Sequence, residues 1–438
     1  MARELPVHVV QDPSLGFTRL PQQVAPPDLV IVLDVRGGDR ILARMYGPAV
    51  LALSGTEHRA FLEVKPSEAR HVTGRLRRRW KEEFVAVQPL DGLRRPSPGR
   101  PDFPYATLVD LTGEPQDELL ATVSELAGYG THLLFDVLLG GKSEDVGLFR
   151  AFLTEALCAE KPLRVRFDSD LFVPWPMLCL PPDVTDEPGL AGVFRRFLGH
   201  RHRIEQTGGY YAMITDGREH PPPAVPAVSL NHDTGVDPRG RTRATDVKAV
   251  LARGGTLAER TTRREFVRAL ADPTLDEQLM YFWCHGEFES ADAEPPYLVL
   301  KLEDKLAIDA YTVREHRPAR RDCAPFHPFV LLNACYAGIP GNSDADLAYF
   351  GRALIETGAR GILGPQIEMP QVFAAEYALE FLGRYLNGGE SAGAVAHAVA
   401  RHFADNLHNP LGFAYALHCG MDARLVRTEP IEPAEATS

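Results

Sequence analysis

LMYFWCHGEFE (residues 279–289) and FVLLNACYAG (residues 329–338) decide how the rest of the chain reads. Each is an apolar run of strand length that stops abruptly, the first at His285-Gly286 and the second at Asn333-Ala334-Cys335. Runs apolar at every position, not at alternate ones, belong to strands covered on both faces, as in a parallel sheet between helices. Ligands of such sheets lie beyond the carboxyl ends of the strands. Neighbouring strands would therefore bring His285 and Cys335 together. A cysteine acts through its thiolate, and an imidazole beside it can lower the thiol pKa or give a proton to a leaving group. Gly286 has no side chain, so backbone there can approach a scissile carbonyl and offer an N–H to the developing oxyanion.

Working outward, strands are expected at 227–231, 279–284, 297–302, 329–333 and 360–363, with helices between them. Thr245 can cap one helix that ends at Gly254 and Gly255. Asp344 can cap another that ends at Gly358 and carries Leu347, Phe350, Leu354 and Ile355 as a buried stripe. These elements make residues 226–427 one α/β unit. Residues 105–215 form a second unit, with helices at 116–139 and 146–159 and strands at 163–167 and 202–206. The connector DGLRRPSPGRPDFP (91–104) is too rich in proline for regular structure. It sets off residues 1–92 as a small β-rich or α+β module, with strands at 28–35, 40–46 and 49–55 and a helix from Pro66 to about Trp80. Within that helix RLRRRW (75–80), followed by Lys81, Glu82 and Glu83, reads as a solvated face. The tail 428–438 reads as disordered. The fold class is thus α/β, a mostly parallel sheet flanked by helices and preceded by a small module.

Composition removes several functions. The 438 residues carry 47 Lys plus Arg against 59 Asp plus Glu, a net charge of −12, and phosphate backbones need the opposite balance. No run reaches the roughly 20 apolar residues of a membrane span. Six scattered cysteines and an opening MARELPVHVVQDP without a basic-then-apolar leader lead to the expectation of reduced thiols in the cytoplasm. Cys284, His285, Cys323, His327 and Cys335 include no paired C-x-x-C element, and the adjacent Cys284 and His285 point to opposite strand faces. No metal or other cofactor is expected. GGKSEDVG (140–147) lacks the leading glycine of a phosphate loop, and no G-x-S-x-G elbow is present.

His285 precedes Cys335 by 50 positions, the order and spacing of caspase-type enzymes. With His-Gly at one strand end and Asn-Ala-Cys at the next, the chain resembles the CHAT family, within the clan of caspases, metacaspases, separases and gingipains. PLRVRFDSDLFVPWPMLCLP (162–181) resembles the family's Pro-Trp-(Glu)-x-Leu element through Pro174, Trp175 and Leu178, with Pro176 where Glu is usual. PLGFAYALHCG (410–420) resembles its last strand. The resemblance runs over about 105–425 and implies a degenerate pseudo-caspase half, residues 105–215, before the catalytic half, residues 226–427. It implies a cysteine endopeptidase in which Cys335 attacks a peptide carbonyl and His285 transfers protons. The N–H groups of Gly286 and Cys335 would form the oxyanion hole.

The same resemblance implies that Asn333, two residues before the cysteine, lines the pocket for the substrate's P1 side chain, the residue before the scissile bond. The turn Asn231-His232-Asp233 is the second place where that pocket is built, so Asp233 is a candidate for a basic P1 residue, against the plainer reading of a solvated turn. The loop 338–343 is expected to be mobile until a partner orders it, and HRPARRDC (316–323) to be an exposed basic connector that could be a processing site. Family context implies limited proteolysis of a dedicated protein substrate, such as a gasdermin-like pore former, in prokaryotic antiviral defence or regulated cell death. An activating protein or ligand could act through residues 1–92. Two other classes remain open: a catalytically idle scaffold of the same fold, and a thiol amidase or acyltransferase on a small molecule.

Overall fold

The computed structural model describes residues 26–50, 57–90, 99–208, 224–237, 239–289, 297–317, 326–335 and 350–427. In chain order its strands are β1 (Leu29–Arg36), β2 (Arg40–Tyr46), β3 (His58–Leu62), β4 (Arg164–Ser169), β5 (Arg203–Thr207), β6 (Ala227–His232), β7 (Thr256–Arg260), β8 (Leu279–Trp283), β9 (His285–Glu289), β10 (Tyr297–Lys301), β11 (Ala307–Ile308), β12 (Phe329–Asn333), β13 (Gly361–Pro365) and β14 (Tyr415–His418). Eleven of them pair into one sheet in the order β3-β2-β1-β4-β5-β14-β13-β12-β8-β6-β7, while β9, β10 and β11 form a separate sheet of three. The large sheet consists mainly of two parallel runs. β1, β4, β5 and β14 share one direction, and β13, β12, β8, β6 and β7 share the other. The runs meet where β13 and β14 pair antiparallel.

The continuous apolar strands have a direct physical cause. In β8, Leu279, Tyr281 and Trp283 face one core, with Phe329 and Leu331 of β12 and Leu363 of β13. Met280, Phe282 and Cys284 face the other, with Val330, Leu332 and Ile362. Successive strand residues point to opposite faces, and both faces are covered, so a polar residue is admitted only where its groups are hydrogen-bonded. The first core is closed by the helix Gln371–Tyr385 through Phe373, Tyr377 and Phe381. The second is closed by Phe266 and Leu270 of Arg263–Ala271 and by Phe350 and Leu354 of Phe350–Glu356. Burial of such side chains stabilises by roughly 1.5–3 kcal/mol each.

Residues 29–85 do not form a separate module, contrary to the sequence reading. β1 lies parallel to β4 in register from Leu29↔Val165 to Leu33↔Ser169, and β2 and β3 extend the same sheet. Leu29, Ile41 and Trp80 share one apolar core with Val165, Phe381 and Leu417. The proline-rich connector therefore interrupts the chain without dividing the core. The expected strand at 49–55 falls largely outside the described residues. β3 was missed because HRAFL carries only two buried side chains. The helix α1 (Pro66–Trp80) forms as expected, with Pro66 at its first turn, but its basic run is not a solvated face, since Arg77 and Trp80 are buried.

Three further expectations are corrected. The strand at 297–302 belongs to the small sheet, not the large one. The helix Ala244–Gly254 is preceded by Arg243, with Thr245 inside it and not at its cap. Arg317, in the connector read as exposed, is buried and donates to Asp272 O (2.6 Å). Asp344, Leu347, the loop 338–343, residues 318–323 and the tail 428–438 lie outside the described residues.

Candidate active site

Four parallel neighbours, β13, β12, β8 and β6, end at the same edge of the sheet. Asn333 is in register with Trp283, and Trp283 with His232. The next residues along each strand are therefore brought side by side: Ala334 and Cys335 after β12, Cys284 and His285 after β8, and Asp233 after β6. Backbone bonds lock this row, with Asp233 N–H donating to Trp283 O (2.9 Å) and Cys284 N–H to Asn333 O (3.4 Å). His285 and Cys335, read from the sequence as converging, line one cleft of about 40 Å³ with Val236, Trp283, Asn333, Pro365 and Met369.

At His285 the chain leaves the large sheet and enters β9, a turn the continuous reading LMYFWCHGEFE did not reveal. Gly286 then crosses directly over the backbone of Cys335. A methyl group at Gly286 would overlap the Cys335 carbonyl oxygen and sit 3.1 Å from its carbon and nitrogen. The glycine is thus demanded by the cysteine's own backbone. This reason is separate from the one given from sequence, the approach of a substrate carbonyl.

Asp233 is not in a solvated turn; it is 1% exposed. Its Oδ1 accepts the N–H of Gly235 (2.8 Å). Its Oδ2 accepts from Lys305 and lies 3.4 Å from Nε2 of His285. Lys305 sits between β10 and β11, so the small sheet folds over the end of β6. With both oxygens engaged, the carboxylate faces the histidine ring and not an open P1 pocket.

Asn333 is buried, and both of its N–H groups and its oxygen are engaged. Its amide donates to Ala374 O (2.7 Å) and to the Tyr281 hydroxyl (3.2 Å), and its oxygen accepts from the Tyr415 hydroxyl (2.7 Å). Both of its N–H groups are spent, so Asn333 contributes wall and not a free polar anchor to the cleft. The network joins β12 to β8, β14 and the helix Gln371–Tyr385, and it holds the strand that carries Cys335.

Burial pushes the Cys335 thiol above its ordinary value. The Met369 N–H, the Lys81 ammonium and the backbone N–H of Cys335 itself act in the opposite sense, and Glu368 adds to the upward push. Burial likewise raises Cys158, Cys179, Cys284 and Cys419, and Cys179 and Cys284 are fully enclosed. Cys284 and Cys335 both line the cleft with His285, and of these two Cys335 is the one that is partly exposed. Among the described residues no group of three His, Cys, Asp or Glu side chains is disposed to hold a metal, and no helix is long and apolar enough to cross a membrane.

An α/β sheet with a histidine and a cysteine at adjacent carboxyl strand ends is the architecture of the caspase-like class. Within it the chain belongs to the CHAT domain family, whose model matches residues 180–412, just over half its length. The match includes Asp233, His285, Asn333 and Cys335 and begins after Pro174, Trp175 and Leu178. A relative named "Probable protease" from Vitiosangium sp. (strain GDMCC 1.1324) is 28% identical over 137 residues, 31% of this chain and 17% of that protein. Thus the chain aligns with about a sixth of that relative's length. Two crystal structures of the Saccharomyces cerevisiae separase-securin complex, at 3.0 and 2.6 Å, are similar over 89% of this chain and 30% of theirs, at 10% identity, with TM-scores of 0.47 and 0.44.

Proposed function

We propose that the protein is a cysteine endopeptidase in which Cys335 is the nucleophile and His285 the general base and acid. The observation that carries this reading is the packing of Gly286 on the Cys335 backbone, which holds His285 and Cys335 on one cleft. Burial favours the neutral thiol, so His285 takes the Sγ proton as sulfur bonds to the peptide carbonyl carbon. The carbonyl oxygen gains the negative charge, and the N–H groups of Gly286 and Cys335 are assigned to receive it. His285 then returns the proton to the leaving amine, and water releases the acyl group from sulfur. Asp233 is assigned to orient the ring through Nε2, leaving Nδ1 for the thiol, and to offset the positive charge formed on the ring. Asp233→Asn, which keeps the Gly235 contact, is expected to lower kcat by about 10²-fold with KM little changed. A changed P1 preference at undiminished kcat would instead return Asp233 to substrate binding.

The cleft walls given by Val236, Trp283, Pro365 and Met369 support an uncharged P1 residue. The substrate is proposed to be a dedicated protein cut once or a few times in the cytoplasm. A gasdermin-like partner in prokaryotic antiviral defence or regulated cell death is the candidate suggested by the family resemblance, which is its sole support. Co-expression of the protein with a neighbouring gene product, followed by sequencing of new N-termini, tests this. One or two defined cuts are expected. Digestion at many sites, or intact protein under every activating condition, would contradict it.

A further inference from the structure

The end of α1 lies far from Cys335 in sequence yet is bonded to the segment that runs from β13 into the wall of its cleft. Arg77 is 7% exposed, and its guanidinium donates to Phe172 O and to Oε1 of Gln366 (2.8 Å), which is 289 positions away. Its Nε has no hydrogen-bond partner. Among the described residues no carboxylate pairs with it, and burial pulls it down to about 9, which leaves it a cation at neutral pH. Enclosing a cation against neutral oxygens is unfavourable, and a methionine would fill the same space without that cost. Such a group is retained where it holds something in place.

What it holds is the segment that leaves β13. Gln366 N–H donates to Ala414 O (2.8 Å), so this residue is tied to the sheet on one side and to Arg77 on the other. Two residues on, Glu368 pairs with Lys81, just beyond α1. That pair is exposed and contributes little. Next comes Met369, which lines the same cleft as Cys335 and whose N–H favours the ionised thiol.

We propose that Arg77 is a positioning residue for the nucleophile: acting through Gln366, it fixes the segment 366–369 and so keeps Met369 in place on the wall of the Cys335 cleft. The N-terminal strands and helix would then support the active site directly and set the reactivity of its thiol. This rests on the assignment of Cys335 as the nucleophile, but its test does not require cleavage of a substrate.

The rate of iodoacetamide labelling at Cys335, read by mass spectrometry of its peptide across pH, is compared for wild type, Arg77→Met, Gln366→Leu and the double variant. Each single change is expected to slow labelling at pH 7 by about three- to tenfold and to move the midpoint of the rate–pH curve upward, since a lost donor disfavours the thiolate. The double variant is expected to be no slower than Arg77→Met, and Arg77→Lys to restore part of the rate. If Arg77→Met fails to fold, Gln366→Leu, which removes a single acceptor, decides alone. A cooperatively folded variant with the wild-type curve, faster labelling at an unchanged midpoint, or multiplying effects in the double variant would overturn the proposal. Shifted labelling in a protein that cleaves nothing would leave it standing and retire the protease reading.

Discussion

Cys335→Ala is expected to leave the fold intact and to remove cleavage, a loss on the order of 10⁴–10⁶-fold, as when the nucleophile of a catalytic unit is deleted. The substitution takes away one sulfur atom at a half-buried turn after β12, so thermal unfolding should change little. His285→Ala should fall to nearly the same residual rate, because Cys335 kept neutral by burial cannot attack without a base. The double variant should then be no worse than either single one. Residues that act as one unit are not additive, and this separates a working dyad from two independently useful side chains. The measurement is initial cleavage rate on one protein substrate at matched concentrations of folded enzyme. Rates that fall independently and multiply would contradict the dyad.

Gly286→Ala should be almost as damaging to activity and, unlike Cys335→Ala, should also affect stability. The new methyl group meets backbone, the carbonyl of Cys335, and neither strand can move freely because Cys284 N–H and Asn333 O join them. Relief requires a shift of about an ångström, which alone can cost about 10²-fold in rate, with overpacking adding roughly 1–3 kcal/mol of destabilisation. We expect a drop of 10²–10³-fold in kcat and a lowered unfolding midpoint, read by activity and calorimetry on the same sample. Near wild-type activity would show that the turn at His285 is not pinned by Cys335.

The parts of this molecule legible in its sequence are those governed by local pattern. The apolar runs at 279–283 and 329–333 are strands buried on both faces, and their ends carry His285 and Cys335 to one cleft. What the sequence concealed depends on contacts between distant residues. Asp233 looks like a turn residue until Lys305 and His285, 72 and 52 positions on, close over it. Arg77 looks like one more solvated arginine in RLRRRW, because nothing nearby in the chain foretells Gln366. Asn333, which the resemblance gave to the P1 pocket, lines the cleft, but Tyr281 and Ala374 engage both of its N–H groups and Tyr415 donates to its oxygen. The joining of β1 to β4 likewise depends on pairing across more than a hundred residues, which no proline-rich connector reveals.

The central claim is that sulfur of Cys335 becomes covalently acylated by the substrate. Acid-quenching the wild-type reaction within one turnover and analysing the protein by peptide mass spectrometry tests it most directly. The expected result is a mass increase on the Cys335 peptide equal to the N-terminal fragment of the substrate less one water, absent from Cys335→Ala. Cleavage by Cys335→Ala at the wild-type rate, with no adduct on Cys335 in the wild type, would contradict the account.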